Sequence, residues 1–221
     1  MMNKIMISIF LCLVIGIAKA QESEIIKSKG YTLNFLNNDA SFDPALKKRM
    51  VETFFKVYPV LAKDFNKNTA KEVTFSIDTS YKGVAATGGG KIVYNPDWFK
   101  KHPGDIDVVT HEVMHVVQNY GRGGGPGWLT EGIADYVRYK YGVDNAGANW
   151  SLTPFKPEHN YTNAYRITAR FLNYLEKSNA GIVVKLDNAM RTHTYKDAIW
   201  QDITGKTIDE LWATYAANPG T

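Results

Sequence analysis

His111-Glu112-Val113-Met114-His115 decides how this chain is read, and the residues on either side extend the pattern. Val109, Val113, Val116, Val117 and Tyr120 recur at helical spacing and form an apolar stripe for a core. Asp105 after Pro103-Gly104 is the expected cap of this helix, and Gly121 after Tyr120 is its expected end. Side chains four apart on a helix point the same way, so His111 and His115 stand one turn apart on one face. Two imidazole nitrogens so placed can share one Zn²⁺ at about 2.0–2.1 Å. Glu112 then lies beside the metal, where it can accept a proton from a reacting water. The competing reading is a pair of core histidines satisfied by hydrogen bonds.

A second helix follows. Trp128-Leu129-Thr130-Glu131-Gly132-Ile133-Ala134-Asp135-Tyr136 lies between Pro126-Gly127 and Gly142, with Leu129, Ile133, Tyr136 and Val137 on one face. The glycine-rich connection Gly121 to Gly127 is short, which makes the two helices antiparallel neighbours. Glu131, in the first turn, can therefore approach the histidines from the opposite side and complete a His2Glu set with one open position. Gly132 is expected to let the backbone come close to the histidine helix. Asp135, one turn on, is expected to accept from the second ring nitrogen of a zinc-bound histidine, His111. A rival assignment makes Asp135 the third ligand and Glu131 its support. Without a metal, both acids would belong to a solvated face.

With these residues in place the chain resembles the gluzincin metallopeptidases, which carry H-E-x-x-H and a glutamate ligand on a later helix. Within them it resembles the basic secretory protein family of plants and bacteria. The stretches that carry the resemblance are His111 to Gln118, Glu131 to Arg138, Tyr165 to Leu172 and Thr204 to Trp212. It implies a zincin-type catalytic domain, one Zn²⁺ per chain and action on peptide bonds. The gap between His115 and Glu131 is tighter than in many gluzincins. The Met-Glu-Asn substrate motif of the large aminopeptidases is absent, which points away from an aminopeptidase and towards an endopeptidase.

The chemistry expected is metal-assisted hydrolysis with Glu112 as general base. Such sites add a donor for the developing oxyanion, and Tyr165 is the candidate, on a helix expected to start near Asn160. The alternative is a core tyrosine with a satisfied hydroxyl. His159 falls in a proline-rich loop, and His102 and His193 have no partner at useful spacing, so all three read as surface residues.

The first twenty residues read as a secretory signal peptide. Lys4 supplies the positive start, Ile5 to Ala18 the apolar run, and Ala18-Lys19-Ala20 the cleavage site. The expected product is secreted or periplasmic, begins after Ala20 and has no stable membrane insertion. Cys12, the single cysteine, lies inside that run, so residues 21–221 have neither a disulfide nor a thiol nucleophile. About 200 residues suit one catalytic domain. The net charge of +4 falls to +2 without Lys4 and Lys19, which is too mild for a nucleic-acid partner. A monomer acting on a protein or peptide is expected.

The segment from Gln21 to Gly30 reads as a polar start, and Tyr31 to Leu36 as a strand. Asp43-Pro44 opens a long helix with Leu46, Met50, Phe54, Val57 and Leu61 inward. Strands are expected at Val73 to Asp78, Gly83 to Ala86 and Lys91 to Tyr94, and helices and loops from Asp105 onward. The fold class is therefore α+β: a small N-terminal mixed sheet with a long helix, the histidine helix, then a mainly helical half. Gly88-Gly89-Gly90-Lys91 lacks the Ser or Thr of a phosphate loop. It is expected instead to let Lys91 to Tyr94 form a cleft edge, with Gly90, Lys91 and Ile92 binding substrate as an added strand. A tight hairpin is the other reading of these glycines.

Two further functions compete with a zinc peptidase. One is a zinc-containing binding or defence module with little turnover; the other is a hydrolase of a non-peptide amide or ester at the same metal.

Overall fold

Leu33, Phe35 and Asn37 are buried at alternate positions of β2 (Tyr31–Asn37), which gives the sheet one core face. The computed structural model describes residues 22–220; the signal peptide expected over 1–20 lies outside them. β2 pairs antiparallel with β1 (Glu22–Ser28) and parallel with β3 (Glu72–Ile77). β3 pairs parallel with β5 (Lys91–Tyr94), and β4 (Ala85–Gly88) closes the far side antiparallel to β5. The strand order is β1-β2-β3-β5-β4, a mixed five-stranded sheet.

Two expectations change here. The polar start is a strand: β1 is an edge whose side chains are almost all exposed, so it has no apolar alternation to reveal it. The second change bears on the site. β5 is paired on both sides and Ile92 is fully buried, so Gly90, Lys91 and Ile92 do not form an open edge. Gly89 and Gly90, at φ +55° and +75°, make the two-residue hairpin turn that brings Gly88 opposite Lys91. The edge on this side of the sheet is β4, two residues later than the strand expected at Gly83 to Ala86.

Parallel β2 and β3 need a crossover, and α1 (Pro44–Asp64) supplies it. Asp43 caps it by accepting from Ala45 N at 2.8 Å, and Pro44 opens the first turn. Met50, Phe54, Tyr58 and Leu61 are fully buried between the sheet and α3 (Val108–Gln118). A short α2 (Pro96–Lys101), capped by Asn95, was not expected; six residues are too few for a helical period to register.

After α3 come α4 (Gly127–Tyr141), a 3₁₀ turn (Tyr161–Asn163), α5 (Tyr165–Glu176), α6 (Ile182–Arg191), α7 (Ile199–Thr204) and α8 (Ile208–Ala217). α8 opens with a capping box between Thr207 and Glu210. Trp200, Phe171, Leu172 and Tyr215 fill the core of this half. α4 and α5 pack closely at Gly132, where a Cβ would lie 2.2 Å from Thr168 Cγ2. Gly132 therefore admits α5, not the histidine helix. None of the described helices is long and apolar enough to cross a membrane.

Candidate active site

The two helices that carry the candidate ligands are tied together by buried aspartates. Asp107, fully buried, accepts from Thr110 Oγ1 at 2.7 Å, Val143 N at 2.7 Å and Asp144 N at 2.6 Å. It thus fixes the start of α3 to the loop that leaves α4. Asp105, expected as the cap, instead accepts from the Arg138 guanidinium on α4 and from Trp98 Nε1. α3 accordingly begins at Val108 and ends at Gln118, and Asn119 after it, with a φ of +43°, provides the left-handed residue expected at Gly121.

This frame brings His111, His115 and Glu131 to one point. His111 Nε2 lies 3.1 Å from His115 Nε2 and 3.2 Å from Glu131 Oε2, and the third separation, His115 Nε2 to Glu131 Oε2, is 3.5 Å. A tetrahedral Zn²⁺ with bonds of about 2.0–2.1 Å has ligands about 3.3–3.4 Å apart. All three separations lie near that value, so the donor set fits zinc in both chemistry and size. Glu131 reaches the histidines because α4 runs back along α3 from the Gly121–Gly127 connection.

The far nitrogens of both rings are also held. His111 Nδ1 meets Asp135 Oδ1 at 2.7 Å, and Asp135 is 5% exposed. Asp135 therefore touches the ring nitrogen opposite the donor cluster, and Glu131 alone of the two acids joins the imidazoles. His115 Nδ1 donates to Gln118 Oε1 at 2.6 Å, and the Gln118 amide donates on to Thr130 O at 2.9 Å. Both bonds keep a proton on Nδ1, which makes Nε2 the nitrogen that faces the donor cluster. Sequence reasoning gave Gln118 no role, although its position one turn after His115 was the available clue.

Electrostatics match a cation site. Burial alone pushes the His111 pKa down, but Asp135 and Glu131 outweigh it and raise it to about 10 in the metal-free protein. Glu131 moves the other way: burial raises it, and hydrogen bonds and charge from His111 and His115 hold it well below the usual carboxylate range. The carboxylates of Asp135 and Glu131 favour positive charge at His111.

Glu112 sits beside this cluster and is 7% exposed. Its Oε2 accepts from Thr87 Oγ1 at 2.6 Å. Tyr165 stacks on His111, with ring centroids 6.2 Å apart and planes 18° apart, and its side chain is half exposed. It is not a core tyrosine. The helix expected near Asn160 breaks instead at Ala164, and Ala164 and Tyr165 both have positive φ, +63° and +47°. Strain of this kind at two adjacent non-glycine residues turns the tyrosine onto the imidazole. The charge of Glu131, then burial, Asp135 and Glu112, push its hydroxyl pKa up, so the phenol keeps its proton.

These residues line a cleft of about 1230 Å³. One wall is β4, through Ala85, Ala86 and Thr87; another is the loop Gly147 to Trp150. Gly90, Lys91 and Ile92 lie outside it. His102, read as a surface residue, borders it and stacks on Trp98 at 4.0 Å. His159 remains peripheral, accepting from Lys156 N.

The same architecture recurs among solved structures. A variant of the M1 zinc metallopeptidase from Deinococcus radiodurans superimposes with a TM-score of 0.52 at 14% identity, covering 91% of this chain and 53% of that one. An aminopeptidase N family protein from Idiomarina loihiensis gives 0.51 at 9% identity, covering 89% and 46%. The chain spans about half the length of these proteins, and at such identities the likeness establishes the fold alone, the zincin-like α+β arrangement that those metallopeptidases share. A search of curated proteins returns no match. The family model for peptidases of plants and bacteria matches residues 17–215, and the chain belongs to that family of peptidases.

Proposed function

We propose that this chain is a secreted or periplasmic zinc-dependent peptidase, a gluzincin-like endopeptidase that hydrolyses bonds within a protein or peptide. One observation carries the proposal: His111, His115 and Glu131 present three donor atoms at the mutual spacing of tetrahedral zinc, beside a carboxylate free to take a proton. These three residues would hold one Zn²⁺ per chain. When bound, zinc supplies Lewis acidity to the scissile carbonyl and to the attacking water.

The protein's own groups do the rest. Asp135 and Gln118 hold the imidazoles in the tautomer that turns Nε2 towards the cluster. Glu112 takes the proton of the attacking water and returns it to the leaving amine. Tyr165, kept protonated, donates to the developing oxyanion from its place on the His111 ring. The cleft exceeds the roughly 300–1,000 Å³ of ordinary small-molecule pockets, which supports a chain-like substrate. β4 offers a sheet edge with which an extended peptide can pair.

Digestion of an unstructured protein tests this reading. Cleavage should stop with a chelator, return with Zn²⁺, and be lost in Glu112→Gln while the zinc content stays at one per chain. Cleavage that survives both treatments would refute the proposal.

A further inference from the structure

We infer that Thr87 is a positioning residue for Glu112, through which the edge strand of the sheet orients the base. The inference rests on the reading of Glu112 as the proton acceptor. Thr87 Oγ1 lies 2.6 Å from Glu112 Oε2 and 3.2 Å from the backbone carbonyl of the same residue. A hydroxyl has one proton to give, and the carboxylate, nearer and charged, takes it.

The donor is held from outside α3. Thr87 belongs to β4 and pairs with Ile92 of β5, which is fully buried, so its backbone is fixed by the sheet. β-Branching restricts its side-chain torsion further. Among the described residues no other side chain bonds the Glu112 carboxylate, so this one bond selects its orientation and leaves Oε1 for a reacting water. β4 is also an edge strand, whose other side pairs with no strand among the described residues. A peptide added there is aligned by the same backbone that carries the hydroxyl, which sets scissile bond and base in a common register.

Thr87→Val removes the hydroxyl and keeps the branched shape. We expect kcat to fall by about ten- to a hundredfold with KM within about twofold, because the chain still binds while the base is misplaced. Zinc content by elemental analysis should stay at wild-type level. Thr87→Ser, which restores the donor, should recover kcat to within about threefold. Thr87→Ala serves as a second hydroxyl-free variant should the valine protein not fold. Wild-type kcat in both hydroxyl-free variants, or equal losses in Thr87→Ser and Thr87→Val, overturns the inference while a dead Glu112→Gln keeps the base assignment intact. An active Glu112→Gln would instead remove the base assignment on which the inference stands.

Discussion

Replacing Asp135 by Asn removes one negative charge at constant side-chain size, at a point 2.7 Å from His111 Nδ1. The wild-type bond joins an imidazole N–H to a carboxylate that is 5% exposed, so water cannot substitute for it. A hydrogen bond to a charged partner contributes about 1.5–3 kcal/mol and a neutral one about 0.5–1.5 kcal/mol. The exchange should therefore weaken the fixing of His111 by about 1–2 kcal/mol, or about five- to thirtyfold in zinc affinity. That agrees with the roughly 10–100-fold effect of outer partners on zinc sites generally. Competition with a chromophoric chelator measures the affinity directly, with circular dichroism as the check on folding. An affinity within about twofold of wild type in a folded protein would refute the role given to Asp135. Loss of all measurable zinc would mean that Asp135 itself binds the ion.

Three other outcomes follow from the same geometry. In the metal-free protein the His111 pKa of about 10 lies above its ordinary 6.5, so its stabilising contribution is complete below about pH 6.5 and is lost as pH rises through about 10. Zinc needs neutral imidazole, so binding at pH 7–8 should release about one proton from His111, measurable by calorimetry in buffers of different ionisation enthalpy; no release would contradict the charge assignment. Gly132→Ala puts a methyl 2.2 Å from Thr168 Cγ2, and Thr168 is anchored by its bond to Tyr161 O, so α4 and α5 must separate. Denaturant unfolding should show a loss of about 1–3 kcal/mol, and unchanged stability would mean that the helices tolerate the shift. Gln118→Ala should weaken zinc binding by about fivefold, less than Asp135→Asn at its upper end, because the bond it removes is neutral and contributes about 1 kcal/mol.

Much of the site was legible because its parts follow local rules. Four-residue spacing on a helix fixes the relation of His111 to His115, and a short glycine connection brings Glu131 back along the same helix. Asp135 follows from its own helical offset. What was not legible depends on tertiary order. Strand sequence along the chain does not reveal that β4 lies outside β5, so the cleft edge was placed one strand too far inward. β1 shows no alternation because neither of its faces is buried. Asp105 has the composition of a cap, but Arg138 on the next helix competes for it and wins. Thr87 lies 25 residues before Glu112, and no local pattern joins them.

Diffraction from crystals grown with Zn²⁺, collected on both sides of the zinc absorption edge, tests the metal centre most directly. A single anomalous peak should lie about 2.0–2.2 Å from His111 Nε2, His115 Nε2 and a Glu131 carboxylate oxygen. No peak there, or an ion bound elsewhere with Glu131 turned away from both imidazoles, would contradict it.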